Sequence, residues 1–480
     1  MNRLLTLSGT RLAEIIRHRE VTSLEVVETH IDHIRKVNPM LNALVKERFE
    51  QARSEATVAD QLTKSTPPER LPAFHGVPCT IKECFSLKGM PNTSGLVARK
   101  GIIANEDATA VARVRKAGAI PLGVTNVSEL CMWMESNNRV YGRTNNPYNP
   151  KRIVGGSSGG EGAIIGAGGS PFGVGSDIGG SIRMPAFFNG VFGHKPTGGM
   201  VPGTGQFPIA EHQALRYLTT GPLARRAEDL MPLLRTIAGP DGKDQYSTHF
   251  DIGDPSQVTI SDLTILDVED NGVLEVSKDL RAAQRACADE LARRGAQIKR
   301  VKIEGLRHSL VIWSSMLSAA GGTSFGTLLG NGKPIHIGYE LLRFALWRSP
   351  YTLPSIALAI IEKVPRIVPG KARQFVELGN ALREELIDLI GPRGVMLYPS
   401  YVSPAPPHNK PLLPPFNWAY TVIINVMEFP STQVPLGLND EGLPLGVQVV
   451  GLHGNDHVTI AVALALEKAF GGWTPPPMCR

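Results

Sequence analysis

Between Ile153 and Pro185 the chain reads IVGGSSGGEGAIIGAGGSPFGVGSDIGGSIRMP. So much glycine in one stretch restricts the fold more than any other feature. Glycine tolerates backbone conformations that other residues resist, and it lets another group come close to the main chain. Two clusters, GGSSGGEG and DIGGSIR, read as loops built for such approach. GEGAIIGAGGS, between them, reads as a helix packed tightly through small residues. Ser157 and Ser158 stand at one end, Ser181 at the other, and no histidine lies between.

Phosphate cradles are excluded first. The GxxxxGKS/T loop is absent, and in GVGSDIGG the third glycine comes one position late for a dinucleotide fingerprint. Gly155 to Gly159 does fit GxSxG, the pattern of a nucleophile elbow. An elbow also requires an acid and a histidine downstream. His194, His212, His408, His453 and His457 follow, but no motif marks any of them as a base. The other candidate base is lysine, which can serve only when neutral, a state favoured by burial or nearby positive charge. Lys82 ends the apolar run VPCTI, where a charge is costly to bury. The same position suits a lysine at a strand end that reaches out to solvent. Local sequence leaves both open.

The wider chain supports a large globular protein. It has 480 residues, 42% hydrophobic and 20% charged, enough for a sizeable core. The formal net charge of +6 is small, and basic residues are interspersed with acids. That pattern argues against a nucleic-acid partner. The five cysteines (Cys79, Cys84, Cys131, Cys287, Cys479) form no CxxC pair. A disulfide framework or a zinc site is therefore not expected, and a reducing compartment fits better. The first residues are broken by charges, unlike a signal peptide. No run approaches the roughly 18 apolar residues of a spanning helix.

Periodicity predicts a helix over TSLEVVETHIDHIRKVNP, with Thr22 and Glu25 as a capping box and Asn38-Pro39 as its stop. GVPCTIKECF reads as a buried strand bearing Lys82. DATAVARVRKAGAIPLGVTN reads as a helix capped by Asp107, a break at Gly118, and a strand near Ala119–Val124. LTILDVE, SKDLRAAQRACADELARRG and AQIKRVKI repeat strand, helix and strand, and GVQVVGL adds a late strand. Alternation of this kind indicates an α/β sheet. Pro240 to Gln257 is polar and rich in turn formers, the most evident internal boundary or surface loop.

On these residues the chain resembles the amidase signature family. Three separated elements agree: GVPCTIKE, GGSSGGEG and DIGGSIR. Lys82, Ser157 and Ser181 follow the order and spacing of that family's Lys–Ser–Ser triad. SELCMWMESNN, YGRTNNPYN, GSDIGGSIRMPAFFNGVFGHKPT and PLGLNDEGLPLGVQVV extend the resemblance to the fatty-acid amide hydrolase branch, over nearly the whole chain. That branch usually begins with a hydrophobic spanning segment, and no such run stands here.

The resemblance implies a single domain over residues 1–480 with the α/β amidase fold, a twisted mixed central sheet flanked by helices. It implies that Ser181 attacks an amide carbonyl, and that Ser157 relays protons between Ser181 and Lys82. Backbone N–H groups of Ile178, Gly179, Gly180 and Ser181 would form the oxyanion hole. A cis peptide would join Gly156 to Ser157. Cys131 would meet substrate through its backbone carbonyl, its thiol acting as a small apolar filler. Ser158, Asp177 and Arg183 would hold the two loops around the triad; an ordinary loop-stabilising ion pair reads equally well. No metal and no cofactor are implied, and relatives are often homodimers.

Tyr339 to Ile367 is strongly apolar yet holds Arg343, Arg348, Lys363 and Arg366, and Pro350 and Pro354 break it. It reads as two short helices. By composition they are core helices. By resemblance, 339–367 is a membrane-binding cap at the acyl entrance, with Leu342, Phe344, Leu346, Trp347 and Ile360 entering lipid and the cations meeting anionic headgroups. The expected substrate is then a long-chain fatty-acid amide, and the expected place intracellular and peripheral to a membrane, an endomembrane or a lipid droplet surface. A short-chain or glutamine amidase is the alternative. Glu161 and the apolar segment favour the lipid branch, and no segment announces a polar glutamine pocket. A catalytically silent scaffold is opposed by the intact Lys82, Ser157 and Ser181.

Overall fold

The computed structural model describes residues 1–362, 369–414 and 416–479. Among them, eleven strands form one mixed sheet and two more form a small ribbon. The first half supplies β1 (Leu44–Glu47), β2 (Pro78–Lys82), β3 (Ile120–Thr125), the ribbon β4 (Asn137–Asn138) and β5 (Gly142–Arg143), then β6 (Phe172–Asp177), β7 (Phe192–Lys195) and β8 (Thr219–Ala224). The second half supplies β9 (Thr264–Asp267), β10 (Gln297–Arg300), β11 (Gly394–Tyr398), β12 (Ser431–Leu438) and β13 (Pro444–Val450). The order across the sheet is β1-β3-β2-β6-β8-β7-β12-β13-β11-β9-β10. β2 runs parallel to β3 and β6, β9 parallel to β10 and β11, and the remaining neighbours are antiparallel.

The central strands β2, β3, β6 and β8 are buried at every position. Covered on both faces, they read as continuous apolar and small residues instead of alternating ones. Because β2 and β6 are parallel neighbours, their C-terminal ends open at the same edge, where crevices of such sheets form. Lys82 ends one strand there, and the loop carrying Ser181 leaves the other.

The helix Gly159–Gly166 lies entirely in the core. Its glycines are what let it in: a Cβ on Gly160 would stand 2.3 Å from the Asn126 nitrogen.

Two local expectations differ from the structure. The helix beginning at Ser23 is capped by Thr22, whose hydroxyl accepts from Glu25 N–H at 3.0 Å, but it runs on through Pro39 to Leu41. A proline in the last turn removes a single backbone donor close to where the helix ends anyway. Asn42, in the left-handed conformation at φ 51, closes it. Asp107 is not a cap. Ala108 holds that place, while Asp107 accepts Lys88 N–H at 2.7 Å and pairs with Arg115 at 2.6 Å. A tertiary ion pair has claimed the side chain from the helix end. The break at Gly118 (φ 91) and the strand after it stand where expected, the strand as Ile120–Thr125. Residues 240–257 form a loop with one short turn, between strands of the same sheet.

Candidate active site

Lys82 does not reach for solvent: it is fully buried. Its Nζ donates to Ser157 Oγ at 2.7 Å and to Ser176 Oγ at 3.0 Å. The strand sets this direction. Side chains alternate along β2, so Thr80 and Lys82 share a face, and β3 and β6 clamp the backbone on either side. Ser157 meets the lysine because its turn is wedged in place. A Cβ on Gly156 would lie 2.1 Å from the Trp133 carbonyl oxygen. Ser136 ties the turn from outside, its Oγ donating to the Gly155 carbonyl at 3.1 Å and accepting Gly159 N–H at 3.0 Å. The Gly156–Ser157 peptide is cis.

Ser181 is buried but not sealed, with 8% of its surface exposed. Its loop is shaped by Asp177. That carboxylate accepts Gly180 N–H at 2.6 Å and Ile182 N–H at 3.0 Å, and it pairs with Arg183 at 3.0 Å, both side chains fully buried. Burial alone would push the Asp177 carboxyl up. The Arg183 guanidinium, the Ile182 N–H and the Asn425 amide outweigh it and hold the group well below the usual carboxylate range. Arg183 is held in turn by Gln448 at 2.9 Å, Asn425 at 2.6 Å and the Thr421 carbonyl at 3.0 Å.

Gly180 departs from expectation, since its N–H serves Asp177. The N–H groups of Ile178, Gly179 and Ser181 have no protein acceptor among the described residues. Gly180 has φ 113, and a Cβ there would stand 2.2 Å from Thr421 Oγ1. Gly180→Ala is therefore expected to displace the loop and lower kcat by roughly 10²-fold or more, the scale of one lost oxyanion donor. Steady-state kinetics beside an unchanged circular dichroism spectrum checks this.

Ser157 and Ser181 are brought together through the main chain: Ser158 N–H donates to the Ser181 carbonyl at 3.2 Å. Among the described residues no hydrogen bond joins their two hydroxyls, and such contacts commonly tighten only when substrate binds. Ser158 Oγ donates to the Ser176 carbonyl at 3.4 Å, and among the described residues no hydrogen bond joins its hydroxyl to the Asp177–Arg183 pair. Cys131 is buried at φ 58.

None of the five downstream histidines is hydrogen-bonded to Ser157 or Ser181. His194 lies between Thr432 at 2.8 Å and Asp456 at 3.0 Å, and His408 meets Glu135 at 2.6 Å. A second fully buried lysine, Lys195, donates to the Pro196 carbonyl at 2.8 Å and to no serine.

Several neighbours of the site were not foreseen. Ser176 lies in the quoted stretch, but alternation along β6 puts it with Val174 on the face of Ile81, so periodicity gave no sign that it meets Lys82 at the strand end. Trp313 gave no signal. Its Nε1 donates to the Ile178 carbonyl at 2.9 Å, and its ring packs edge-on to Trp418 at 5.0 Å, close beside Gly179.

The described part of the 339–367 segment holds two short helices, Ile337–Ala345 and Leu353–Ile361. Lys363 and Arg366 fall outside the described residues. Trp347 is 88% exposed, and Leu342, Leu346 and Ile360 are exposed as well. Phe344 is half-buried under the Arg139 guanidinium. Among the described residues no helix is long and apolar enough to cross a membrane.

Residues 25–460 match the family model described as Amidase. The chain is 48% identical to human fatty-acid amide hydrolase 2 over 490 residues, 98% of this chain and 91% of that protein. It is 46% identical to fatty-acid amide hydrolase 2-A of Danio rerio, over 99% of this chain and 91% of the relative. Among solved structures, a bacterial aryl acylamidase of the amidase signature family superposes with a TM-score of 0.82 at 24% identity, covering 98% of this chain and 97% of the other.

Proposed function

The chain belongs to the amidase family, and from that premise we propose that it is a serine hydrolase of long-chain fatty-acid amides. Primary amides and N-acylethanolamines would be cleaved to fatty acid and amine. The observation that carries the reading is Lys82, fully buried and donating to Ser157 Oγ at 2.7 Å. The resemblance to fatty-acid amide hydrolase 2 supplies the substrate class.

Ser181 Oγ attacks the amide carbon. Its proton passes to Ser157, and the proton of Ser157 passes to neutral Lys82. Lys82 Nζ is hydrogen-bonded to the hydroxyls of Ser157 and Ser176. Negative charge gathers on the carbonyl oxygen, where the N–H groups of Ile178, Gly179 and Ser181 are unengaged. Asp177 holds their loop through Gly180 and Ile182. The proton then returns through Ser157 to the leaving nitrogen as the C–N bond breaks, because an amine leaves badly as an anion. Water, activated by the same base, cleaves the acyl–Ser181 ester and frees the fatty acid. Cys131 offers its carbonyl to the substrate.

In this reading residues 1–480 act as one domain, and residues 339–367 cap the acyl entrance at a membrane surface. Exposed Leu342, Leu346 and Trp347 enter lipid while Arg343 and Arg348 meet headgroups. Leu346→Glu with Trp347→Glu is expected to weaken vesicle binding by roughly 10-fold or more, given the apolar surface withdrawn. Hydrolysis of a short soluble amide should not change. Equal flotation of variant and wild type with liposomes would remove the cap.

The substrate class is tested by product release from oleamide, anandamide, a short aryl acetamide and glutamine. Fast cleavage of the two lipid amides is expected. Cleavage of only the short amide or glutamine would keep the triad and discard the acyl channel.

A further inference from the structure

The relay leaves one buried acid unused. Glu161, on the first turn of the helix Gly159–Gly166, is fully buried. Its carboxyl spans two strands. Oε2 accepts from Thr80 Oγ1 at 2.7 Å and Oε1 from Thr125 Oγ1 at 2.8 Å. Thr80 sits one pleat before Lys82 on the same face of β2, and Thr125 is the register partner of Lys82 across β3. The third side of the cradle is Gly173 of β6, where a Cβ would stand 1.9 Å from Oε2. Among the described residues no cation is hydrogen-bonded to the carboxyl.

A buried carboxylate with only two hydroxyl donors is poorly compensated. The cradle accommodates the acid form. Thr125 Oγ1 also lies 3.4 Å from the Ile81 carbonyl oxygen, so its proton has somewhere to go when the carboxyl is the donor. We propose that Glu161 is a positioning residue that works as a neutral carboxylic acid, a strut joining β2 to β3 so that Lys82 meets Ser157 without a counter-charge beside it. A carboxylate there would hold a proton on Lys82 and disable it as a base. The inference rests on the reading of Lys82 as that base.

The surroundings agree. Burial pushes the Glu161 carboxyl up to about 8, against the Thr80 and Thr125 hydroxyls and Lys82, which favour the anion. The other charged or titratable groups on the packed elements are Cys79 of β2, Asp177 of β6, Arg183 of the helix Arg183–Phe188, Arg225 after β8 and, on the helix Ser23–Leu41, buried His30 and half-buried His33 and Glu28 with the exposed Glu25, Asp32, Arg35 and Lys36. Of these, Asp177 and Arg183 neutralise each other at 3.0 Å, and burial pushes the Cys79 thiol up, which keeps it neutral.

The test compares wild type, Glu161→Gln and Glu161→Leu on a short soluble aryl amide across pH. Glutamine should restore the strut: kcat within about threefold of wild type and the acidic limb of the kcat/KM profile unmoved. Leucine should lower kcat by roughly 10²-fold with little change in KM, as a misplaced catalytic group does. Urea unfolding supplies an independent reading. A folded state that keeps a proton the unfolded chain releases must lose stability as pH rises. From about pH 4 toward pH 8, the wild-type folding constant should therefore fall relative to Glu161→Gln, by up to about tenfold per pH unit. An acidic limb moved to lower pH in Glu161→Gln, or a stability gap independent of pH, would mean an ionised Glu161 and overturn the proposal. If the glutamine variant does not fold, the infrared band of the protonated carboxyl in wild type should shift in Thr125→Val; no such band shift would overturn it equally. Lys82→Ala separates the two readings, since activity surviving there removes Lys82 as the base whatever the state of Glu161.

Discussion

Alanine at Ser181 is expected to lower kcat/KM for amide hydrolysis by roughly 10⁴-fold or more, the scale on which a triad fails when its nucleophile is removed. The fold should hardly notice. Ser181 keeps some exposure, and among the described residues its hydroxyl carries no hydrogen bond whose loss would strand a partner. Its backbone, which receives Ser158 N–H, is unaltered. Unfolding midpoints of the two proteins should therefore agree while activity collapses. Lys82→Ala should show a comparable loss, because Ser157 would be left with no base. A histidine-dependent hydrolase would behave in the opposite way, surviving Lys82→Ala and failing on substitution of one histidine. Fluorophosphonate labelling reads the same distinction without substrate: wild type labels at Ser181 and the alanine variant does not.

The largest stability effect should come from Arg183→Met. The guanidinium is fully buried, and its removal leaves the Asp177 carboxylate sealed in the core without its cation. Breaking one side of a buried pair typically costs about 3–5 kcal/mol, here measured by urea unfolding at neutral pH. The pH dependence has a definite sign. In the wild type the Asp177 carboxyl is held well below its unfolded value. Its stabilisation is therefore complete above about pH 4, the unfolded value, and is lost progressively as pH falls from there through the lower folded value. In Arg183→Met burial would favour the protonated acid. The variant should then lose less stability than wild type on acidification, and the gap between them should narrow as pH falls. Activity should fall with stability, because Asp177 shapes the loop that presents Ser181.

Features written in local periodicity are legible in the sequence itself. The buried strand ending at Lys82, the helix of small residues after Ser158, and the two short helices separated around Pro350 all stand where the residues put them. Pro39 and Asp107 misled because each has a local meaning that tertiary context overrides: the helix tolerates one missing donor near its end, and Arg115 takes the carboxylate. The partners of the site lay beyond local reach. Arg183 is held from Thr421, Asn425 and Gln448, and Ile178 by Trp313, all from the second half of the chain. The pairing of β12 with β7 brings that half to the site. Glu161 shows the same limit at shorter range. Its acid and its glycines were visible, but the cradle exists only once β2, β3 and β6 lie side by side.

The central claim, that Ser181 carries the acyl group of a fatty-acid amide, is tested most directly by acid quench during turnover of oleamide, followed by peptide mass measurement. An oleoyl group is expected on the peptide containing Ser181 and is expected to be absent from Ser181→Ala. An oleoyl group on another residue, or hydrolysis of oleamide undiminished in Ser181→Ala, would contradict it.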